Sequence, residues 1–322
     1  SKLCAILPVL NQTLRISGKS VFITGCDSGF GHKLALRLHA LGCDVFAGCL
    51  FPDGEGAISL SKYQSERLKV VKLDVTKDED VFAAVNYVTN NLRNNSLWAL
   101  VNNAGVVHYA ATEFGENGIG VFDETMRVNA LGTVRVTKAF LPLLRKEKGS
   151  RAIFLSSIAG RVEFPTLTAY SMSKFAVNAF CNSLRREMKR FHVYVSIIEP
   201  TVYKTAMGDK KIILEDFRRI WEKTSDEVKE DYGHDGYRKN HDYVEALMDT
   251  RISNCDDVVD AIVEAIRRKE PRCVYRVGSF VVRATIEAST YFAEEFSDIV
   301  YSHHISMITL KLIAFVHRVL RI

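Results

Sequence analysis

The 322-residue chain is 47% hydrophobic and 25% charged with a net charge of +5, the composition of a folded globule and not of a disordered chain. Its basic residues are scattered among acidic ones and form no Lys/Arg block, which excludes a nucleic-acid-binding tail. The seven cysteines (Cys4, Cys26, Cys43, Cys49, Cys181, Cys255, Cys273) are odd in number and include no CxxC pair. They therefore read as reduced, mostly buried small hydrophobes and not as a disulfide scaffold or a zinc site. The nine histidines contain no HExxH, and His303 and His304 are adjacent, so no metal centre is expected.

Residues 1–17 form an N-terminal segment whose apolar run, Leu3–Leu10, contains Pro8 and is too short for a membrane span; it suits the remnant of a trimmed anchor. From there short apolar or β-branched runs alternate with helical patterns. The predicted strands are Ser20–Thr24, Asp44–Ala47, Leu68–Leu73, Leu97–Val101, Ala152–Leu155, Val193–Ile198 and Cys273–Val277. Between them lie stripes at helical spacing, such as Leu34, Leu38, Leu41 and Val81, Val85, Val88, which read as core. Such alternation specifies an α/β fold with a doubly wound parallel sheet. With no linker, repeat or low-complexity tract, residues 18–280 are expected to be one domain.

Two regions break the pattern. Residues 201–254 are charged and aromatic (Phe217, Trp221, Tyr232, Tyr237, Tyr243) and follow a strand end, the place for a helical substrate lid. Residues 281–322 form a C-terminal helical segment. Its last part, His303–Ile322, sets Ile305, Ile308, Leu312, Phe315 and Val319 at helical spacing beside Lys311, Arg318 and Arg321, which suits a membrane surface or an oligomer interface.

The first strand runs into Thr24-Gly25-Cys26-Asp27-Ser28-Gly29-Phe30-Gly31 and then a helix. In that context Gly25 permits a tight turn, Gly29 lets backbone approach a pyrophosphate and Gly31 allows close helix packing, while the helix N-terminus offers free N–H groups. Further along, Tyr170 and Lys174 are four apart and share a helix face, so the lysine's charge favours a tyrosinate able to take an alcohol proton. An isolated pair of this kind would as readily be a packed aromatic and a solvated charge.

The glycine spacing resembles that of the short-chain dehydrogenase/reductase family, as do Leu73-Asp74-Val75, Asn102-Asn103-Ala104-Gly105, Asn129, and Ser157 with Tyr170-Ser171-Met172-Ser173-Lys174. The resemblance covers roughly residues 18–275. It implies a single-domain Rossmann fold and hydride exchange between a nicotinamide cofactor and an alcohol or ketone. It implies catalytic roles for Asn129, Ser157, Tyr170 and Lys174. Cofactor contacts are implied at Gly25, Asp27, Ser28, Gly29, Phe30, Gly31, Asp74, Val75, Asn102, Ala104, Gly105, Tyr170, Lys174, Pro200 and Thr205. NAD is favoured over NADP, because Ser28 and Cys49-Leu50-Phe51 stand where enzymes using the phosphorylated cofactor carry a cation, and Asp27 adds negative charge.

Longer segments (TGCDSGFG at 24–31, VFAGCL at 45–50, LWALVNNAG at 97–105, GTVRVTKAFLPLL at 132–144, SLRRE at 183–187) resemble the branch containing retinol dehydrogenases, a 17β-hydroxysteroid dehydrogenase and D-3-hydroxybutyrate dehydrogenase. Ser157, Tyr170 and Arg161 are the expected substrate contacts; between Ser157 and Tyr170, Arg161 is the one residue able to hold the carboxylate of a short hydroxy acid. The aromatic lid and apolar C-terminus favour a lipophilic steroid or retinoid alcohol, with D-3-hydroxybutyrate as the alternative. Membrane association at the endoplasmic reticulum is favoured over mitochondria, and a homo-oligomer is expected. One departure stands out: Thr201 follows Pro200 where the family has glycine, which keeps open a cofactor-binding or scaffold protein with weakened turnover.

Overall fold

The computed structural model describes residues 12–116, 118–204 and 209–289, together with 307, 311, 313 and 314. Strands and helices alternate along the chain: β1 (Ser20–Thr24), α1 (Gly29–Ala40), β2 (Asp44–Cys49), α2 (Glu55–Ser61), β3 (Leu68–Lys72), α3 (Asp78–Asn91) and β4 (Ala99–Asn102). They are followed by α4 (Gly120–Thr125), a π-helical turn (Met126–Gly132), α5 (Thr133–Arg145), β5 (Arg151–Leu155), α6 (Thr168–Met188) and β6 (Tyr194–Pro200). Then come α7 (Lys210–Glu222), α8 (Asp226–Asp249), α9 (Asp256–Arg267), β7 (Val274–Val277) and α10 (Phe280–Ser289).

The strands make one parallel sheet in the order β3-β2-β1-β4-β5-β6-β7. Every residue of β1, β2 and β4 is buried, because helices cover both faces, and this is why these strands read as unbroken apolar runs. Alternate residues feed opposite cores. Val21, Ile23, Val45 and Ala47 pack with α1 and α9, while Phe22, Phe46 and Leu100 pack with α3, α5 and α6. Phe22 stacks on Phe140 of α5 with ring centroids 4.3 Å apart. The order of strands reverses between β1 and β4, and such a reversal opens a crevice beyond their carboxyl ends.

The fold expected from sequence is therefore present, with strand ends displaced by one or two residues. β2 and β6 run two residues further, to Cys49 and Pro200, and β4 is shifted from 97–101 to 99–102. Residues 12–16 lie on the end of α9, where Leu14 N donates to Arg267 O and Lys269 N to Gln12 O. α10 packs Val282 against Ile158 and Val162. Five of the six described cysteines are buried and all six are free. Leu3–Leu10, Thr205 and most of His303–Ile322 lie outside the described residues. No helix among the described residues is long and apolar enough to cross a membrane.

Candidate active site

The floor of the crevice is the turn after β1. Gly25 has φ +71°, and a Cβ there would come within 2.8 Å of Ala104 Cα, so only glycine fits between the ends of β1 and β4. A Cβ on Gly31 would overlap the Gly25 carbonyl oxygen, which sets how closely α1 follows the turn. Two residues that motif reading passed over stitch this turn to β4. Thr24 Oγ1 accepts from Asn103 N at 3.0 Å and Ala104 N at 2.9 Å, and Asn103 Nδ2 donates to the carbonyls of Thr24 and Gly25, both at 2.9 Å. In the sequence the signal for Asn103 is the Asn-Asn doublet at 102–103. Asn102 instead donates from Nδ2 to Thr137 Oγ1 at 3.1 Å, leaving its buried Oδ1 without a partner.

Ser28 begins α1 in an extended conformation, and no side chain caps the helix. With no acid in its first turn, the N-terminus of α1 keeps its free N–H groups and positive dipole for an anion. Asp27 fastens the loop after β2: its two carboxylate oxygens accept from Leu50 N and Phe51 N, each at 2.9 Å. Leu50 and Phe51 are exposed there. Asp74 sits two residues beyond β3. Burial would raise its carboxyl, but two hydrogen bonds from Thr76 and the nearby Lys77 outweigh that and hold it below the usual range. Val75 is buried, and its carbonyl accepts from Arg135 at 2.9 Å.

The second half of the site comes from α6, the π-helical turn and the end of β5. Tyr170 and Lys174 share a face of α6, with Lys174 Nζ 5.4 Å from the Tyr170 ring centre and donating to Leu155 O at 2.9 Å. Ser157 N-caps a short 3-10 turn, Ile158–Gly160; its Oγ accepts from Ala159 N at 3.1 Å and stands in hydrogen-bonding reach of the Tyr170 hydroxyl. Burial pushes that hydroxyl up to about 12, opposed by Ser157, and burial draws the Lys174 ammonium down to about 8. Each buried charge is unfavourable alone; formed together, tyrosinate and ammonium stabilise one another.

Asn129 lies at the centre of the π-helical turn. Its amide clamps Val106, accepting from the N–H at 2.8 Å and donating to the carbonyl at 2.9 Å, and donates also to Ser173 Oγ at 3.0 Å. Ser173 in turn donates to Tyr170 O at 2.7 Å. The Asn129 backbone carbonyl accepts from Thr133 Oγ1 at 2.7 Å. Thus Asn129, Ser157, Tyr170 and Lys174 come together at the carboxyl ends of β4 and β5.

Arg161 does not stand free. Its Nε donates to the buried Glu199 at 2.6 Å. The loop that follows strains Thr166, a β-branched residue at φ +66° whose carbonyl accepts from Ala110 N at 2.8 Å. Thr201 continues the strand pairing, N to Val277 O at 2.9 Å, and its side chain fills the space that a Cβ on Gly278 would need. Gly278, at φ +114°, leaves the room that the Thr201 side chain takes.

Above these groups, α7 and α8 close a third apolar cluster that includes Tyr109, Leu167, Ile213 and Phe217, with Tyr170, Phe164 and Val202 packed against it. Rings hold it: Phe114 lies edge-on to Trp221 at 4.7 Å, Tyr232 at 5.1 Å and Phe217 at 6.0 Å. The five aromatics anticipated in this stretch are joined by Phe114 from the loop after β4. His108, from the same loop, ties the body to α7: its ring lies 2.9 Å from Asp216 and 3.4 Å from Glu124 of α4. On α8, His241, Asp242 and Glu245 bring ligand-type atoms within 4.8 Å of one another, with Glu245 paired to Lys210 at 3.0 Å.

A family model described as short chain dehydrogenase matches residues 19–213. The chain is 40% identical over 264 residues to 17-beta-hydroxysteroid dehydrogenase type 6 of Bos taurus, covering 82% of this chain and 81% of that protein. It is 35% identical over 299 residues to the mitochondrial D-beta-hydroxybutyrate dehydrogenase of Rattus norvegicus, covering 91% and 86%. To human retinol dehydrogenase 16 it is 41% identical over 266 residues, covering 81% and 80%. Among solved structures, a Burkholderia phymatum short chain dehydrogenase/reductase in complex with NAD superposes with a TM-score of 0.68 at 20% identity, over 89% of this chain and 95% of that one. A Burkholderia cenocepacia short chain dehydrogenase in complex with NADP gives 0.66 at 21%, over 90% and 99%.

Proposed function

This chain belongs to the short-chain dehydrogenase family and is an oxidoreductase of alcohols and ketones, and from that premise we propose that its substrate is a lipophilic alcohol or ketone of steroid or retinoid type. One observation carries the choice: the surroundings of Tyr170 are hydrocarbon and aromatic, while Arg161 is already matched by Glu199. Burying a substrate carboxylate among these rings without a free cation would be strongly unfavourable. A sterol or retinoid needs only one polar contact at its reacting oxygen.

In this reading Tyr170 takes the alcohol proton, Ser157 holds the same oxygen, and Lys174 keeps its ammonium beside Tyr170 to favour the tyrosinate. Asn129 keeps the end of β4 and the start of α6 in register. A bound nicotinamide cofactor supplies the hydride or receives it. The residues present fit such a cofactor: Gly25 and Gly31 have no room for a side chain, so the turn runs tightly into α1, and the N-terminus of α1 is uncapped. Gly29, Ser28, Phe30, Asn102, Ala104, Gly105, Asp74, Val75, Pro200 and Lys174 would line it, with Asp27 supporting the loop at 50–51. We favour NAD, since residues 49–53 hold no cation for a 2′-phosphate.

The second reading, D-3-hydroxybutyrate, is supported by the 91% span of similarity to the rat enzyme and would require Arg161 to leave Glu199. The apolar, basic residues 303–322 support attachment to a membrane, at the endoplasmic reticulum in our reading and in mitochondria under the second. Exposed Met172 and Phe175 on α6 and Leu131 beside it support a homo-oligomer. Cofactor reduction by the purified protein with androstanediols, retinol and 3-hydroxybutyrate tests the assignment. Turnover of the first two is expected; turnover of 3-hydroxybutyrate alone installs the second reading, and none at all favours a cofactor-binding scaffold.

A further inference from the structure

Behind the turn that carries Ser157 lies a buried charge that the chemistry above does not use. Glu199, 1% exposed, stands on β6 one residue before Pro200. Its Oε2 accepts from Arg161 Nε at 2.6 Å and from Arg276 Nε at 3.4 Å, and its Oε1 from Asn178 Nδ2 at 3.4 Å. Strand register sets Glu199 directly beside Arg276 of β7. Asn178 follows Lys174 by one turn of α6, and its Nδ2 also donates to Gly160 O at 2.9 Å. The 3-10 turn Ile158–Gly160 thus begins at Ser157 and is gripped at its other end, through Gly160 and Arg161, by Asn178 and Glu199.

A lone carboxylate at this depth would be strongly disfavoured, and two guanidinium groups reaching in from the surface make it tolerable. Their side chains are 28% and 35% exposed, so Glu199 is the buried hub and the arginines its rim. Buried ion pairs contribute little stability over an apolar filling of the same shape; their best-attested use is to select one arrangement of the parts they join. The parts joined here are the strand that leads to Pro200, the helix of Tyr170 and Lys174, and the turn of Ser157. Arg276 also donates to Glu287, so α10 braces the same charge.

We propose that Glu199 is a positioning residue of the dehydrogenase reaction, which through Arg161 and Asn178 holds the Ile158–Gly160 turn where the Ser157 hydroxyl meets Tyr170 and the substrate oxygen. The proposal rests on the roles given to Ser157 and Tyr170 above. Ser157 is the group that draws the Tyr170 hydroxyl down against burial, so loosening the turn should raise the pH at which the tyrosine loses its proton.

The test compares Glu199→Gln, Arg161→Met and Ser157→Ala in the full chain. Three quantities are measured with one confirmed alcohol: kcat against pH, cofactor affinity by fluorescence titration, and Tm. Glu199→Gln should lower kcat by about 10- to 100-fold, the scale of an ångström-level misplacement. It should also move the acid limb of the profile to higher pH and leave cofactor affinity unchanged. Arg161→Met should act in the same direction, and the double variant should be no worse than Glu199→Gln alone. If Glu199→Gln does not fold, Arg161→Met, altered at the partly exposed rim, carries the test. A wild-type kcat and pH profile in the folded variants, beside an inactive Ser157→Ala, would overturn the proposal and leave Glu199 a stability element. A fully active Ser157→Ala would instead overturn the site assignment on which the proposal stands.

Discussion

The floor and the roof of the Tyr170 pocket are made of different materials. The floor, from β1 to Gly105, is backbone meeting backbone: Gly25 under Ala104, Gly31 under Gly25, and Asn103 hydrogen-bonded into the gap. The roof, α7 and α8, is rings on rings, centred on Phe114 and Phe217, with ion pairs at its margin. Backbone contacts at fixed distance tolerate no added atom, which suits a ligand common to a whole family. Aromatic packing can be rearranged at similar volume, which suits a substrate that differs between relatives.

Changes at the junction of the two should have the largest effect. Tyr170→Phe removes the proton acceptor proposed above and little contact surface, so turnover should fall by about 10²–10⁴-fold with cofactor affinity kept. Retention of more than about a tenth of the rate, measured with cofactor binding on the same sample, would contradict the role. Phe217→Ala hollows the roof at a fully buried ring and should cost about 3–5 kcal/mol in unfolding free energy. It should raise KM for a lipophilic alcohol without changing cofactor affinity, and an equal loss in both would blur the division between floor and roof. Gly31→Ala does the reverse: overpacking should cost about 1–3 kcal/mol and weaken the cofactor, leaving the ranking of alcohols unchanged.

The smallest effect concerns the seam. Asp216 raises the pKa of His108 above its ordinary value near 6.5, outweighing burial, with Glu124 adding to the rise. A raised folded pKa means that this tie is complete below about pH 6.5 and is lost as pH rises through the higher folded value. Its loss should be on the order of 1 kcal/mol and should be confined to α7. Amide exchange of Lys210–Glu222, corrected for intrinsic base catalysis, should therefore speed up between pH 6 and pH 9. The same comparison in His108→Asn should show no such step.

The floor is legible in the sequence residue by residue, whereas of the roof the sequence shows the aromatic helical stretch at 201–254 but not how its rings meet. A parallel strand covered on both faces is an apolar run of any register, so β1, β2, β4, β5 and β6 stand out, while strand ends, where burial fades into loops, drift by one or two residues. Gly25 and Gly31 announce themselves because no other residue fits. By contrast, MRVNALG at 126–132 has an ordinary helical pattern, and nothing in it specifies the π-helical turn at Asn129. Which rings meet in the roof depends on Phe114, whose loop neighbours are glycines and acids and give no period to follow. Glu199 did leave a trace, a single acid at the end of the buried strand YVSIIEP, but its two arginine partners come from other strands and turns.

The packing of Thr201 against Gly278 constrains the route by which such a sequence can change. A methyl added at 278 meets the Thr201 hydroxyl at once, whereas removal of the Thr201 side chain leaves only a small gap. Loss of the Thr201 side chain therefore meets no steric bar at 278, whereas a side chain at 278 requires Thr201 to be cut back or displaced first and carries the strain that φ +114° imposes. The two positions are thus coupled in one direction: sterics oppose the single change at 278 and not the single change at 201.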